Sequence, residues 1–318
     1  MEIFNHNANV NFLGMRKISV GIAILLMVAS IALIAVKGLN YGLDFTGGVS
    51  LVVDYQNPVT TAEVQEALDK GGIEHSLVAS LGGTREVSVR FQPTAAMKDE
   101  AGKINLDKVA DITTGVLKAG RADVTIKSRD YVSSTVGDEL RSDGILAAVV
   151  VVLGIGLYLG IRFEWRFAVA AIVTELHDAL ITVGVFALVQ REFDLTVLAS
   201  VLAVIGYSIN DKVVVFDRVR ELFRLARKAE PEEILNRSIN NTLSRTIITA
   251  LFTAITMGAL FFIGGPVVHG FAITMLIGIL VGTLSSIFVA SPILLWLGVS
   301  KQDLMPKTRE NPELARRP

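Results

Sequence analysis

Three otherwise apolar stretches of the chain carry side chains that can take up and release a proton. Asp211 lies in one, with Ser200, Val204, Tyr207 and Ser208 at helical spacing and Asn210 beside it, so its carboxylate falls on a partly polar stripe. Arg245 precedes the second, and Thr249, Thr253 and Thr256 follow at steps of four, four and three, a second stripe able to face the first. A carboxylate opposite an arginine alternates between an ionised, paired form and a protonated form released from the pair. The third stretch holds Glu175, His177 and Asp178. A His–Asp neighbour pair relays protons or ties neighbouring helices together, and the sequence leaves both roles open. Ionisable groups cost about 2.5–3.5 kcal/mol each at the centre of a membrane span, so they default to function. Lys212, next to Asp211, supports the alternative, that Asp211 is a surface residue at the cytoplasmic end of its span, and the functional role is the favoured of the two.

The elements that position these groups are membrane spans. Of 318 residues, 51% are hydrophobic and only 19% charged, with a mean hydropathy of +0.53, too little charge for a water-soluble surface. Near-equal counts of basic (30) and acidic (31) residues argue against a nucleic-acid binder and an acidic disordered chain. With no cysteine, disulfides, thiol catalysis, iron–sulfur clusters and cysteine-ligated zinc are excluded. The four histidines are scattered, and there is neither an H-E-x-x-H nor a phosphate-binding G-x-x-x-x-G-K-[ST] motif. No metal and no cofactor are expected.

Crossing the bilayer takes about 20 apolar residues. Residues 18–36, 144–161, 167–189, 195–216, 247–263 and 271–297 qualify, one span followed after a long gap by five. The first, longer than the apolar core of a signal peptide and followed by no small-x-small site, is expected to remain as an anchor. Lys and Arg cluster before the first span, between the second and third, between the fourth and fifth, and in the tail, whereas 190–194 and 264–268 are poor in positive charge. Both termini therefore face the cytoplasm. This predicts a cytoplasmic N-terminus (1–17), a first helix (18–36), an outer domain (37–143), five helices over 144–297 and a cytoplasmic tail (298–318). Within the cytoplasmic loop 217–245, Val219, Leu222, Phe223 and Ala226 lie opposite arginines, as in a helix that rests on the membrane surface or docks on a partner protein, and the sequence does not decide between the two. Gly156-x-x-x-Gly160 and Gly278-x-x-x-Gly282 read as close helix contacts, and Pro292 as a kink or an end.

Inside 37–143 the pattern turns soluble. Strands are predicted at 49–55, 75–81, 86–91 and 123–132, the second and third joined at Gly82-Gly83, with helices at 60–70 (capped by Thr61) and 107–119. The order β-α-β-β-α-β is the ferredoxin-like arrangement, and the fold class is a multi-spanning α-helical membrane protein with an α+β outer domain. No nucleophile or acid–base constellation stands out there, so binding or mechanical work is expected rather than an enzyme.

Asp44-Phe45-Thr46-Gly47-Gly48 follows the first span; alone it is a turn, with glycines for tight backbone and Asp44 able to accept backbone hydrogen bonds. It becomes specific together with Phe163-Glu164-Trp165-Arg166, Leu176-His177-Asp178, the run from Tyr207 to Arg218 (YSINDKVVVFDR) and Ser244-Arg245-Thr246. The combination resembles the SecD/SecF family of protein-export membrane proteins over essentially the whole chain, and the length fits the SecF side, since SecD has a much larger outer region. The one-plus-five plan is similar to half of an RND-type transporter. The resemblance implies an accessory subunit of the Sec translocase in the bacterial inner membrane. It would act with SecD, the SecYEG translocon and YajC on translocating polypeptides, among membrane lipids, and use the proton motive force to complete translocation on the periplasmic side. It also implies that Asp211 and Arg245 belong to a proton pathway, with Ser208, Asn210 and Thr249 as supporting polar groups. Half of a small-molecule exporter and a non-conducting scaffold or chaperone subunit share the architecture. An intramembrane protease lacks its motifs here.

The charge asymmetry makes a direct prediction. A reporter active only outside the cytoplasm works when inserted near Pro93 and fails near Pro231; the opposite pattern would reverse the orientation.

Overall fold

In hydrocarbon a backbone must satisfy its own hydrogen bonds, and six segments of this chain are helices long and apolar enough to cross it. The computed structural model describes residues 10–300 except 75, 82, 100–102, 122 and 226–228. A short turn, Leu13–Met15, leads into α1 (Arg16–Lys37), followed by β1 (Asn40–Tyr41) and a single-turn helix, α2 (Leu43–Thr46). The outer domain comprises β2 (Gly48–Tyr55), α3 (Thr61–Lys70), β3 (Leu77–Ser80), β4 (Glu86–Phe91), α4 (Leu106–Gly120) and β5 (Val124–Val132). Then come α5 (Ser134–Arg162), α6 (Trp165–Val189), β6 (Glu192–Phe193), α7 (Leu195–Leu225), α8 (Pro231–Ile263) and α9 (Pro266–Ser285), with a π-helical turn at Ser286–Ala290 before α10 (Ser291–Trp296). That turn precedes Pro292, so the proline begins the final helical segment and breaks no hydrogen bond inside α9.

The outer sheet has the order β3-β4-β2-β5 with every neighbour antiparallel. Alternate residues of β2 (Val49, Leu51, Val53, Tyr55) meet Val64 and Leu68 of α3 and Val109 and Leu117 of α4 in one core. The cap of α3 is Thr60 rather than Thr61: its hydroxyl accepts from the Glu63 amide, and Glu63 returns the bond to the Thr60 amide. Between β4 and α4 the chain makes a loop with a short turn at Ala95–Met97, not an early start of the helix. The expected Gly82 corner and His75 fall outside the described residues, but β3 and β4 do pair.

Other boundaries differ because helices do not stop where apolarity does. The outer domain ends at Val132 rather than 143: α5 starts ten residues before the apolar run, capped by Ser133, and carries Asp138, Glu139, Arg141 and Asp143 on its first turns. On the other side α7 continues to Leu225 and α8 begins at Pro231. No separate surface helix is present among the described residues of 217–245. Val219, Leu222 and Phe223 are buried against Phe12, Leu13, Ile234 and Leu235, so this apolar face packs inside the protein; Ala226 is outside the described residues. Asn236 and Asn240 accept from the amides of Phe12 and Val10 (both 2.9 Å), which lays the N-terminal segment along α8.

The DFTGG segment locks the outer domain to the helices. Phe45 packs with Phe186, Phe193, Val197 and Val201, β1 pairs in parallel with β6, and Asp44 accepts from the Leu195 amide (2.9 Å) at the start of α7. Arg90 of β4 is ion-paired to Glu192, and Gln92 donates to the Gly47 carbonyl (3.1 Å). Gly47 and Gly48 both have positive φ (66° and 120°), and a Cβ on Gly48 would come within 3.0 Å of the Phe91 carbonyl. Gly48→Val therefore destabilises the start of β2 by about 1–3 kcal/mol. Limited proteolysis of the full chain measures this as faster cleavage within the outer domain; unchanged cleavage would make Gly48 a permissive linker.

Candidate functional site: a buried ion cluster

Glu175 and Asp178 lie three residues apart on α6, on one face, about 15–20 Å along the helix from Trp165. Lys212 comes at them from α7, about 25 Å from Leu195. Its ammonium is fully buried and makes three hydrogen bonds: to Glu175 Oε1 (2.8 Å), to Asp178 Oδ2 (2.8 Å) and to Ser208 Oγ (2.5 Å). Ser208 and, from α9, Ser285 each donate to Asp178 Oδ2 (2.7 Å), while His177 Nδ1 lies 2.9 Å from Asp178 Oδ1. Thr182 bonds back to the Asp178 carbonyl (2.8 Å). Three helices thus meet on one ammonium and two carboxylates.

Small residues allow the approach. A Cβ added to Gly278 of α9 would overlap Val204 (2.1 Å), and one on Gly282 would meet Ser208 Oγ (2.7 Å), so these glycines let α9 rest on α7 and bring Ser285 to Asp178. Gly156 likewise accepts Ile172, but nothing lies within 4 Å of Gly160, which is therefore not a packing position in this chain.

The charges do not cancel: with all groups ionised, two carboxylates face one ammonium. Glu175 Oε2 and His177 Nε2 are buried without a hydrogen-bond partner among the described residues. His177 and Ser285 also line a groove of about 360 Å³ between α1, α6 and α9, whose walls include Ile18, Ile22 and Ile181. His177 accordingly stands between the ion cluster and an apolar surface.

Lys212 was read from the sequence as a mark of the cytoplasmic end, and the structure corrects this. Its side chain points into the bundle, and Asp211 next to it is also buried, 3% exposed, in mid-helix. Asp211 and Arg245 do not stand at ion-pair distance; among the described residues Asp211 Oδ2 has no hydrogen-bond partner, and Arg245 is exposed. The positive charges of Lys212 and Arg245 nevertheless both act on the carboxylate. Ser200, Val204 and Ser208 are buried on the stripe as expected from their spacing, but Asn210 is exposed and Thr249 half-buried, so these two are not part of the buried cluster. The missed residue is Lys212. The clue was available: two acids on one face of a span require a cation, and Lys212 is four residues from Ser208. Among the described residues no group of three or more His, Asp or Glu side chains is placed to hold a metal.

Removing one partner of a buried ion pair strands the other, which costs about 3–5 kcal/mol. Lys212→Met therefore lowers stability by that order, measured by thermal unfolding in detergent, and adding Glu175→Gln restores part of the loss. A single variant as stable as the parent would mean that the cluster contributes nothing to holding the helices.

Comparison with known proteins places this geometry. Residues 112–300 match the model described as protein export membrane protein SecD/SecF, C-terminal, and residues 32–59 match the SecD/SecF GG motif. A protein translocase subunit SecF of Vibrio alginolyticus is 42% identical over 96% of this chain and 95% of its own, and that of Pseudomonas aeruginosa is 42% identical over 93% and 94%. Among solved structures, SecDF from Thermus thermophilus, titled a translocon-associated membrane protein, superposes with a TM-score of 0.82 at 32% identity over 93% of this chain. SecDF in its super-membrane-facing form gives 0.69 at 33% identity. The chain spans only 39% of that first SecDF chain. With the buried cluster on the segment the first model matches and the locking glycines on the second, the chain belongs to the SecF side of the SecD/SecF family of protein-export membrane proteins.

Proposed function

We propose that this chain is the accessory SecF-type subunit of the bacterial Sec translocase, and that it uses the proton gradient to complete translocation on the outer, periplasmic face. The observation that carries the mechanism is Asp211: a carboxylate buried in a membrane helix, with one oxygen unpartnered and an arginine charge acting on it from α8. Such a group changes charge at the least structural expense, because no hydrogen bond has to break when the proton arrives. Moving one charge through about 100 mV supplies about 2.3 kcal/mol. The ion cluster around Lys212 is saturated apart from single atoms of Glu175 and His177, which favours a helix tie over a relay for Glu175, His177 and Asp178.

The outer domain supports a binding or mechanical role. Its β-α-β-β-α-β order and the sheet order β3-β4-β2-β5 are those of a ferredoxin-like fold, set between the first helix and the other five. The positive charge distribution supports cytoplasmic termini. SecD is the partner that the SecDF relatives suggest, and the exposed apolar face of α8, with Leu251, Phe252 and Ile255, is a surface it can cover. SecYEG, YajC and the translocating polypeptide complete the assembly by family resemblance.

Asp211→Asn keeps size and hydrogen bonding but cannot ionise. The variant is expected to insert, assemble with SecD and lose gradient-dependent export in vesicles. Arg245→Met should behave alike, and the double variant no worse than either single one, since two residues acting as one unit are not additive. Normal export by Asp211→Asn with the gradient as sole driving force would remove the proton-carrier role and leave the scaffold reading.

A further inference from the structure

At the end of the bundle where α5 stops and α8 begins, the helices border an open hollow of about 780 Å³ lined by Arg162 of α5, Arg218, Arg220 and Arg224 of α7, and Arg245 of α8. Two carboxylates share it, and both are engaged: Asp217 by Arg162 (3.3 Å) and Glu221 by Arg218 (2.6 Å). Arg220 donates only to the Arg162 carbonyl (3.3 Å), and among the described residues neither Arg220, Arg224 nor Arg245 has a carboxylate at ion-pair distance. Charge asymmetry across a membrane accounts for the number of arginines at this end. It does not account for their converging from three helices on one concavity with unmatched charge.

The level of the hollow identifies the anion. Trp165, three residues beyond Arg162 and the first residue of α6, is 58% exposed with the Arg166 guanidinium 5.2 Å from its ring centroid, as in the aromatic belts at membrane–water interfaces. Leu225 on the lining of the hollow and Ile161, next in sequence to Arg162, are exposed apolar residues, 69% and 77%, so apolar surface adjoins the arginines. Basic pockets between membrane helices at headgroup depth take phosphate groups, which guanidinium forks bind in pairs of hydrogen bonds.

We infer that this arginine-lined hollow is a binding site for the headgroup phosphate of an anionic phospholipid. Neither the orientation of the chain nor the role of Asp211 enters into it. The test uses the full chain purified in mild detergent, supplied with phosphatidylglycerol or phosphatidylcholine of the same acyl chains, and native mass spectrometry of the retained lipid. Arg220 and Arg224 are changed rather than Arg245, which the proton reading uses. The parent retains phosphatidylglycerol in preference to phosphatidylcholine, and the Arg220→Gln/Arg224→Gln pair retains at least about ten-fold less, the scale of two interfacial arginines. Lys17→Gln/Arg237→Gln removes the same charge from exposed positions at the same end and retains the parental amount. Equal loss in both pairs would reduce the effect to net charge. Unchanged retention in the first pair, or full displacement by millimolar inorganic phosphate, would overturn a lipid site in the hollow.

Discussion

The arrangement of the helices turns on one buried ammonium. Lys212 is fully buried, and an unpaired charge in such a place would cost several kcal/mol. Two of its three hydrogen bonds, to Glu175 and Asp178, tie α7 to α6; the third stays within α7, to Ser208, whose own hydroxyl donates to Asp178, and Asp178 in turn holds Ser285 of α9. Gly278 and Gly282 are small because α9 must come that close. In lipid there is little hydrophobic drive between helices, so close packing and polar ties carry the association. The large exposed apolar side chains along α1, α5 and α8 fit this picture, since in a bilayer they cost nothing.

The helix that carries Lys212 also carries Asp211, and it runs as one continuous element between the two ends of the molecule. Its 31 residues extend about 46 Å. At one end Asp44 accepts from its first amide and the Asp194 carboxylate from the Val197 amide (2.7 Å), while β6, just before it, is paired to β1 and ion-paired to the outer domain through Arg90. At the other end Val219, Leu222 and Phe223 are sealed against the N-terminal segment and α8. α7 is thus joined to the β2–β5 domain through a turn whose glycines allow tight backbone and whose aromatic residues pack closely, so the proposed change of charge at Asp211 would fall on a helix tied to that domain.

Asp211 and Lys212 are neighbours with opposite circumstances. Lys212 is surrounded by partners; Asp211 has an oxygen with none. Successive residues of a helix point about 100° apart, so one can be locked into α6 while the next faces α8. The most heavily hydrogen-bonded charge of the bundle and the carboxylate of the proposed proton role therefore stand one residue apart.

The sequence by itself determined the membrane class, the six apolar helices, the strand and helix order of the outer domain and the polar positions inside the spans, because hydrophobic periodicity and charge are local properties. It located Glu175, His177, Asp178 and Asp211, since an ionisable group in an apolar run is conspicuous wherever the helix goes. It misjudged Lys212, the surface helix over 217–245, the start of α5 and the pairing of Asp211 with Arg245. Each of these depends on what stands opposite in space. A lysine beside an aspartate reads as an interface marker until two acids 34 and 37 residues earlier are found facing it. An apolar stripe next to arginines reads as membrane-bound until Phe12 and Leu13 are seen to cover it. Only the tertiary structure decided those questions, because the free energy of a buried charge or an apolar face is set by its neighbours, and those neighbours come from distant parts of the chain.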